Sequence, residues 1–321
     1  MKAFPRRLIA TLAPVALAAS MTACAGADTT DSTTLTVGFV VDPSWSQIPV
    51  AVDTGLLRKH GVNVKVVNFQ SGVEALQAAS AGQVDITTAA DVPTAAVLTR
   101  TPTLRVVADG SRWEGSRIVA RRSAGIKTIQ DLSGKSIGTP LGTSAAYYLS
   151  NSLASSHIKA RVVQVSPSAM VTAVNQRNVD AISTFQPYQA QAIQSLNTDA
   201  VELAGGTYDQ QSLFLATRKA ISSKSKSITA FFAALNDATA ALTRHNSAAI
   251  DAVAKATQLK PGLLRTVLAE FDFTIQLNPD LATKLTQLGE WAKAQGSIEK
   301  STNLPNYAEF LDNQFLAKST P

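Results

Sequence analysis

Cysteine is nearly absent from this sequence of 321 residues, which contains Cys24 alone. A single cysteine cannot form an intramolecular disulfide. The three histidines, His60, His157 and His245, are far apart and lack the spacing typical of metal ligands. The composition therefore predicts neither a disulfide scaffold nor a metal site, and we expect no cofactor.

Charged residues are also scarce, at 16% of the sequence, and the formal net charge is +6. Basic residues at positions 2, 6 and 7 precede residue 24 and no acidic residue does, which leaves 26 basic and 23 acidic residues beyond them. This surplus of +3, without a basic stripe interleaved with aromatics, argues against nucleic-acid binding. Hydrophobic residues at 45% predict a globular protein, whose length suits two lobes.

Signatures of common enzymes are missing from the predicted strand-to-helix turns. No nucleophile elbow, Walker loop or dinucleotide-binding fingerprint lies at any of these turns. We therefore expect a protein that binds a ligand and catalyses no reaction.

The amino terminus has the parts of an export signal. Basic residues are followed by an apolar run over residues 8–19, which is shorter than a typical transmembrane helix. Met21-Thr22-Ala23-Cys24 resembles a bacterial lipobox, with Met where Leu is usual. We predict a signal peptide over residues 1–23, lipidation of Cys24 and a polar tether over residues 24–34. The alternative is a plain signal peptide with an incidental cysteine, and Arg6-Arg7 leaves the export route open.

The rest of the sequence alternates between strand and helix patterns, which is typical of an α/β fold. The first group of predicted strands covers residues 35–41, 62–68, 84–88 and 104–108, with helices over residues 49–60 and 71–81. A second group has strands over residues 118–121, 135–139, 160–165 and 181–184, with helices over residues 144–153, 169–177 and 187–195. A strand over residues 213–217 then leads into an almost wholly helical segment from residue 222.

Four stretches resemble one family, the nitrate/sulfonate/taurine/thiamine-precursor-binding group of ABC transporter solute-binding proteins. Residues 52–62 are similar to its segment after the first strand, and residues 79–86 resemble its Gly-x-Val-Asp signature. Residues 131–138, followed by Gly142-Thr143-Ser144-Ala145, look like the opening of its second lobe. Thr184 to Tyr188 resembles an aromatic turn of the family.

The resemblance implies a type II periplasmic-binding-protein-like fold, in which two lobes with mixed sheets flanked by helices are joined by a two-crossing hinge. It places lobe one at residues 35–115 and 212–321 and lobe two at residues 116–211. It also implies a monomer that is lipid-anchored on the extracytoplasmic face of the cell membrane. Such a protein binds a small anionic solute, for example an aliphatic sulfonate, taurine or nitrate, and delivers it to an ABC permease.

Two predicted helix starts lie beyond the carboxyl ends of strands, where open α/β lobes bind ligands. Free amides and positive dipole ends at helix starts suit an oxyanion. The residues expected to contact the solute there are Ser71, Gly72, Val73, Gly142, Thr143 and Ser144. For each hydroxyl the alternative is a structural helix cap, and Ser71 has capping-box spacing to Glu74.

Other candidates follow the remaining strand ends, namely Trp45, Ser46, Ala90, Asp91, Phe185 and Gln186. Trp45 could instead pack beneath the lobe, and Phe185 could be part of the core. Asp91 precedes Val92-Pro93 and suits a helix N-cap, because an acid repels an anion unless the solute also carries an amine.

Three alternatives remain from the sequence. Arg112 or Arg117, near the first crossing, could pair with the anion, although a solvated surface arginine is the simpler interpretation. The ligand could be a thiamine-pyrimidine precursor or an aromatic acid. A protein of another class, an accessory ligand sensor for a membrane signalling protein, would share the export signal.

Cys24→Ala should release the exported protein from the membrane, because the proposed site of lipid attachment is removed. Solute affinity should be unchanged, since the tether is remote from the predicted turns. Fractionation of cells and calorimetry on the released protein measure the two effects. Retention of the variant in the membrane fraction would contradict lipidation at Cys24.

Overall fold

The computed structural model of the protein describes residues 34–316. The predicted signal peptide, Cys24 and all but the last residue of the predicted tether lie outside them. Within residues 34–316, no helix combines the length and the apolar character that a membrane span requires.

Eleven strands are present in the described part of the chain, and they form two sheets. The strands are β1 Thr34–Val40, β2 Asn63–Phe69, β3 Ile86–Ala90, β4 Leu104–Trp113, β5 Ile118–Arg121, β6 Ser136–Thr139, β7 Arg161–Gln164, β8 Ala181–Ser183, β9 Ala200–Leu203, β10 Gln210–Thr217 and β11 Phe271–Asp272. The first sheet has the order β11-β4-β10-β3-β1-β2, and the second has the order β7-β6-β8-β5-β9.

Both sheets are mixed, because β10 and β11 in the first sheet and β5 in the second sheet run against the other strands. In the first sheet β1 is parallel to β2 and β3, while β10 is antiparallel to β3 and β4. In the second sheet β6 is parallel to β7 and β8, while β5 is antiparallel to β8 and β9. The chain passes between the sheets twice, after β4 and before β10, and these two passages are the crossing segments.

Twelve α-helices accompany the sheets in residues 34–316. They are α1 Gln47–Asp53, α2 Leu56–Lys59, α3 Gly72–Ser80, α4 Asp91–Leu98, α5 Ser144–Ser155, α6 Met170–Asn175, α7 Tyr188–Leu196, α8 Arg218–Ser223, α9 Ser225–Thr243, α10 Ser247–Thr257, α11 Pro261–Leu268 and α12 Leu281–Ala294. We call the first sheet with its helices the first half, and the second sheet with α5, α6 and α7 the second half. The lobe boundaries at residues 115/116 and 211/212 stay predictions.

The structure differs from the sequence prediction at several elements. The single helix predicted over residues 49–60 is wrong, because Gly55 adopts a φ of 77° and separates α1 from α2. The short strands β9 and β11 were not predicted, and α4 was predicted only through a helix N-cap at Asp91. Phe271 lies within the segment predicted to be almost wholly helical from residue 222, but it begins β11 after α11 has ended.

The carboxy-terminal helix α12 reaches the second half. The Trp291 ring lies 5.2 Å from the Tyr147 ring at an interplanar angle of 84°. Trp291 Nε1 also donates a hydrogen bond of 3.2 Å to Ser150 Oγ on α5. The two halves are therefore joined by side-chain contacts as well as by the crossing segments.

An aromatic cluster fixes α9 against the first sheet. Phe214 on β10 lies with its ring centroid 6.2 Å from that of Phe231 and 5.5 Å from that of Phe232. Each of these pairs meets edge to face, which is a favoured geometry for aromatic rings. All three side chains have an exposed fraction of 0%, so the cluster lies at the centre of the first half's core.

Phe231→Ala should lower the free energy of unfolding by about 3–5 kcal/mol, because a fully buried ring is lost and a cavity remains. Chemical denaturation followed by circular dichroism measures this change. The control is Val52→Ala, at a residue that is 37% exposed, which should change stability by less than about 0.5 kcal/mol. Equal effects of the two substitutions would contradict the core position of Phe231.

Candidate functional site

A small cavity lies between the two halves, and six of the predicted contact residues line it. The first half contributes Trp45, Gly72 and Ala90, and the second half contributes Thr143, Ser144 and Phe185. Three strand-to-helix turns of the first half and two turns of the second thus meet at one place. Of the described residues, four that were not predicted also line this cavity, namely Val40, Asp42, Pro93 and Gln210.

The cavity is small because the two halves are closely apposed. Its volume is about 20 Å³, which is close to the space that one water molecule needs. A larger solute therefore requires the halves to separate. The two crossing segments permit such a movement, since each half can rotate about them as a rigid body.

The turn after β1 places Asp42 and Trp45 at the cavity. Asp42 Oδ1 accepts a hydrogen bond of 2.7 Å from the Ser44 amide, so the carboxyl caps the short 3-10 helix Pro43–Trp45. Trp45 is 2% exposed, and its Nε1 has no hydrogen-bond partner among the described residues. Ser46, predicted to contact the solute, is fully buried and donates to the Pro43 carbonyl instead.

The start of α3 is held tightly against β3 and α4. Ser71 is its N-cap and accepts a hydrogen bond from the Glu74 amide, as predicted. Glu74 reaches back to the Gln70 amide rather than to that of Ser71, so the expected capping box is shifted by one residue. A Cβ at Gly72 would lie 3.1 Å from the Ala89 Cβ, and glycine therefore allows the close approach. Val73 lines a separate groove, to which Gly142 of the second half also contributes, and not this cavity.

The start of α5 lacks a side-chain cap. Thr143 is the N-cap residue, but its Oγ1 donates to the Pro140 carbonyl at 2.6 Å and caps no amide of the helix. The first amides of an α-helix have no partner within the helix, so they are available at Ser144 beside the cavity. Gly142, with a φ of 75°, lines two other grooves, one of them together with Val73, and not this cavity.

Asp91 is not the helix cap that the sequence predicted. Ala90 is the N-cap of α4, and Asp91 is the first residue within the helix. Its carboxylate forms an ion pair with Lys284 at 3.1 Å and accepts hydrogen bonds from Tyr208 Oη and the Gln211 amide. These partners come from segments more than a hundred residues away, and Asp91 does not line the cavity.

The remaining predicted residues are bound elsewhere. Gln186 is buried, and its Oε1 accepts a hydrogen bond from the Ala190 amide. Arg112 forms ion pairs with Asp109 at 2.7 Å and Asp272 at 2.9 Å. Arg117 donates to the carbonyls of nearby residues 114 and 116. Neither arginine lines the cavity.

Of the four unpredicted residues, Asp42 carried a weak sequence signal and Gln210 carried no local one. Asp42 lies two residues after the end of β1 and precedes Pro43, which is a strand-end position of the kind that was searched. Gln210 begins β10, and its Nε2 donates weakly to Ser44 Oγ at 3.4 Å. No local pattern indicates that the start of β10 meets the turn after β1, because that proximity depends on the order of the strands.

Asp42 is the one charged side chain among the described residues that line the cavity. It is 3% exposed, and burial raises the pKa of its carboxyl from 3.8 to about 7. The hydrogen bond from Ser44 opposes this rise but does not cancel it. The carboxyl is thus close to its own pKa at neutral pH.

Ser136 stands within Gly134-Lys135-Ser136-Ile137-Gly138, which has the spacing of a nucleophile elbow. An elbow serine lies on a sharp turn between a strand and a helix. Ser136 instead begins β6, and its Oγ donates to Asp180 Oδ2 at 2.8 Å. Ser136 therefore has the sequence spacing of a nucleophile elbow but not its structure.

Comparison with known proteins identifies the family. A family model described as NMT1/THI5 like matches residues 42–249, well over half of the chain. The chain belongs to the NMT1/THI5-like family. The NMT1/THI5-like match includes the turn after β1 and the starts of α3 and α5, and the family resemblance predicted from the sequence motifs is confirmed.

A Brucella abortus (strain 2308) protein named as a binding protein is 26% identical to this NMT1/THI5-like protein over 245 residues. The alignment covers 74% of this chain and 75% of the relative. The alkanesulfonate-binding protein SsuA from Xanthomonas axonopodis pv. citri, solved with MOPS bound, has a TM-score of 0.75 at 22% identity over 88% of this chain and 98% of that one. The nitrate-binding protein NrtA from Synechocystis PCC 6803 has a TM-score of 0.71 at 12% identity, over 89% of this chain and 88% of NrtA. These likenesses confirm the predicted periplasmic-binding-protein fold.

An enzyme shares this fold with the NMT1/THI5-like chain. The desulfurization enzyme DSZB has a TM-score of 0.63 at 15% identity, covering 89% of this chain and 98% of that one. A fold does not by itself determine function. The side chains at the cavity must therefore carry the functional argument.

Asp42→Asn should change how stability depends on pH. The wild-type carboxyl favours the folded state when protonated, so its contribution is complete below a pH of about 4 and is lost as pH rises through about 7. Asparagine has no such dependence and keeps an acceptor for the Ser44 amide. The melting temperature of the variant minus that of wild type should therefore be larger at about pH 8 than at about pH 4.

Thermal denaturation at the two pH values makes this comparison. Asp109, whose pKa burial also raises to about 7, is present in both proteins and cancels in the difference. The same difference at both pH values would show that Asp42 is not buried as a carboxyl with a raised pKa.

Proposed function

We propose that this protein is the extracytoplasmic solute-binding component of an ABC importer. It binds one small solute with an oxyanion group between its two halves and delivers it to a permease in the cytoplasmic membrane. We propose further that it is anchored on the outer face of that membrane through lipid on Cys24 and acts as a monomer without a cofactor. A sulfonate, including taurine, is the solute class that we propose first, and nitrate is the second.

The observation that carries this proposal is the meeting of two helix starts at one cavity. Helix α3 begins at Gly72 in the first half, and α5 begins at Ser144 in the second half, and both residues line the cavity. Helix starts carry partial positive charge and free amides, so two of them favour an anionic group. A solute held from both sides also stabilises the closed arrangement of the halves.

The side chains at the cavity support binding rather than catalysis. Of the described residues that line it, none is a histidine, a cysteine or a lysine. Thr143 and Ser144 are its hydroxyl residues, and the Thr143 hydroxyl is held by the Pro140 carbonyl. An activated nucleophile needs an adjacent base, and Asp42, the candidate base, is engaged at Oδ1 with the Ser44 amide.

Similarity to SsuA and NrtA supports the proposed solute class. SsuA is an alkanesulfonate-binding protein and NrtA is a nitrate-binding protein, and both ligands carry an oxyanion. Calorimetry against alkanesulfonates, taurine, nitrate and a thiamine-pyrimidine precursor tests the class. Tight binding of the pyrimidine with none of the anions would overturn the anionic proposal in favour of the thiamine-precursor alternative.

Ser144→Pro should weaken binding of the oxyanion by about 10–100-fold, because proline removes one amide donor and a hydrogen bond to a charged group contributes about 1.5–3 kcal/mol. The first position of a helix tolerates proline. Thr143 has φ −111° and ψ 170°, which is the extended conformation that a residue before proline prefers. The helix should therefore remain intact.

The matched control is Ser144→Ala, which removes the hydroxyl but keeps the amide. Calorimetry on both variants, with circular dichroism to verify folding, separates the two groups. Affinity in Ser144→Pro equal to that in Ser144→Ala would contradict a role for the α5 amide.

A further inference from the structure

The charge of the cavity does not match a purely anionic solute. Two helix starts favour negative charge, yet the charged side chain at the same cavity is the acid Asp42. Its Oδ1 is engaged by the Ser44 amide. Within residues 34–316, no lysine, arginine or histidine forms an ion pair with Asp42.

A buried carboxylate without a cation is unfavourable, because it has lost water and gained no counter-charge. Burial accordingly raises the pKa of Asp42 to about 7. A second negative charge placed beside it would raise the cost further. A positively charged group would instead stabilise the ionised carboxyl.

We propose, on the basis of the proposed function, that Asp42 selects a solute with a cationic nitrogen in addition to its oxyanion. The ammonium group contacts the Asp42 carboxylate, while the oxyanion contacts the starts of α3 and α5. The solute is then a small zwitterion of the amino-sulfonate or amino-carboxylate class. A simple anion of the same size is disfavoured at Asp42.

Two aromatic residues at the cavity support the same assignment. Trp45 and Phe185 line it from opposite halves, and aromatic faces attract ammonium groups. Trp45 Nε1 is a buried donor that has no partner among the described residues. It supplies a donor for the oxyanion, so the turn after β1 offers a carboxylate acceptor and an indole donor together.

Matched solute pairs that differ only in the amine test this inference. The pairs are taurine with ethanesulfonate, and β-alanine with propionate. Wild-type protein should bind the amino member of the preferred pair about 10–100-fold more tightly, the range expected for a hydrogen bond to a charged group. Calorimetry at neutral pH measures the ratio and needs no variant.

The Asp42→Asn variant then assigns the preference to one residue. The amide keeps an acceptor for Ser44 but lacks the negative charge, so the ratio should fall to within about threefold of unity, as expected when the charged contact is lost. The control is Asp251→Asn, the same acid-to-amide change in the same half at an exposed residue of α10 that does not line the cavity. It should keep the wild-type ratio.

The outcomes separate the two proposals. Binding of neither nitrate nor any member of either pair would overturn the proposed function. Equal binding of both members, or tighter binding of the member without the amine, would overturn the inference and leave the proposed function standing. A preference that survives in Asp42→Asn would show that another group recognises the nitrogen.

Discussion

The antiparallel pairing of β4 with β10 is the constraint on which the rest of the structure depends. Its last pair joins Trp113 to Gln210. The chain leaves for the second half just after Trp113 and returns just before Gln210, so the first crossing segment begins beside the point where the second one ends. Gln210 also lines the cavity. The hinge and the proposed site are therefore adjacent, and a solute that contacts both halves acts directly on their separation.

The electrostatics of the cavity combine two opposite preferences in a small volume. The starts of α3 and α5 provide partial positive charge from backbone groups, which cannot be titrated away. Asp42 provides a negative charge only when it ionises, and burial raises its pKa to about 7. Discrimination among solutes then depends on whether a molecule pairs with the helix starts alone or also with the Asp42 carboxylate. A molecule that leaves this carboxylate unpaired is disfavoured without any steric barrier.

Elements whose signals are local were predictable from the sequence. The Ser71 cap of α3 and the start of α5 at Ser144 follow from residue types at strand ends, and the structure has both. Features set by distant segments were not predictable. Asp91 has the local pattern of a cap, but its partners Tyr208 and Lys284 lie far along the chain. Gln210 becomes a cavity residue only through strand order.

The contact of Trp291 with Tyr147 and Ser150 has a consequence for observing the protein at work. These groups belong to opposite halves, and separation of the halves must pull the indole away from the phenol ring and the serine hydroxyl. Indole emission responds to the polarity around the ring. The chain thus contains its own fluorophore at the point where the halves part, and opening can be followed in solution without an attached dye.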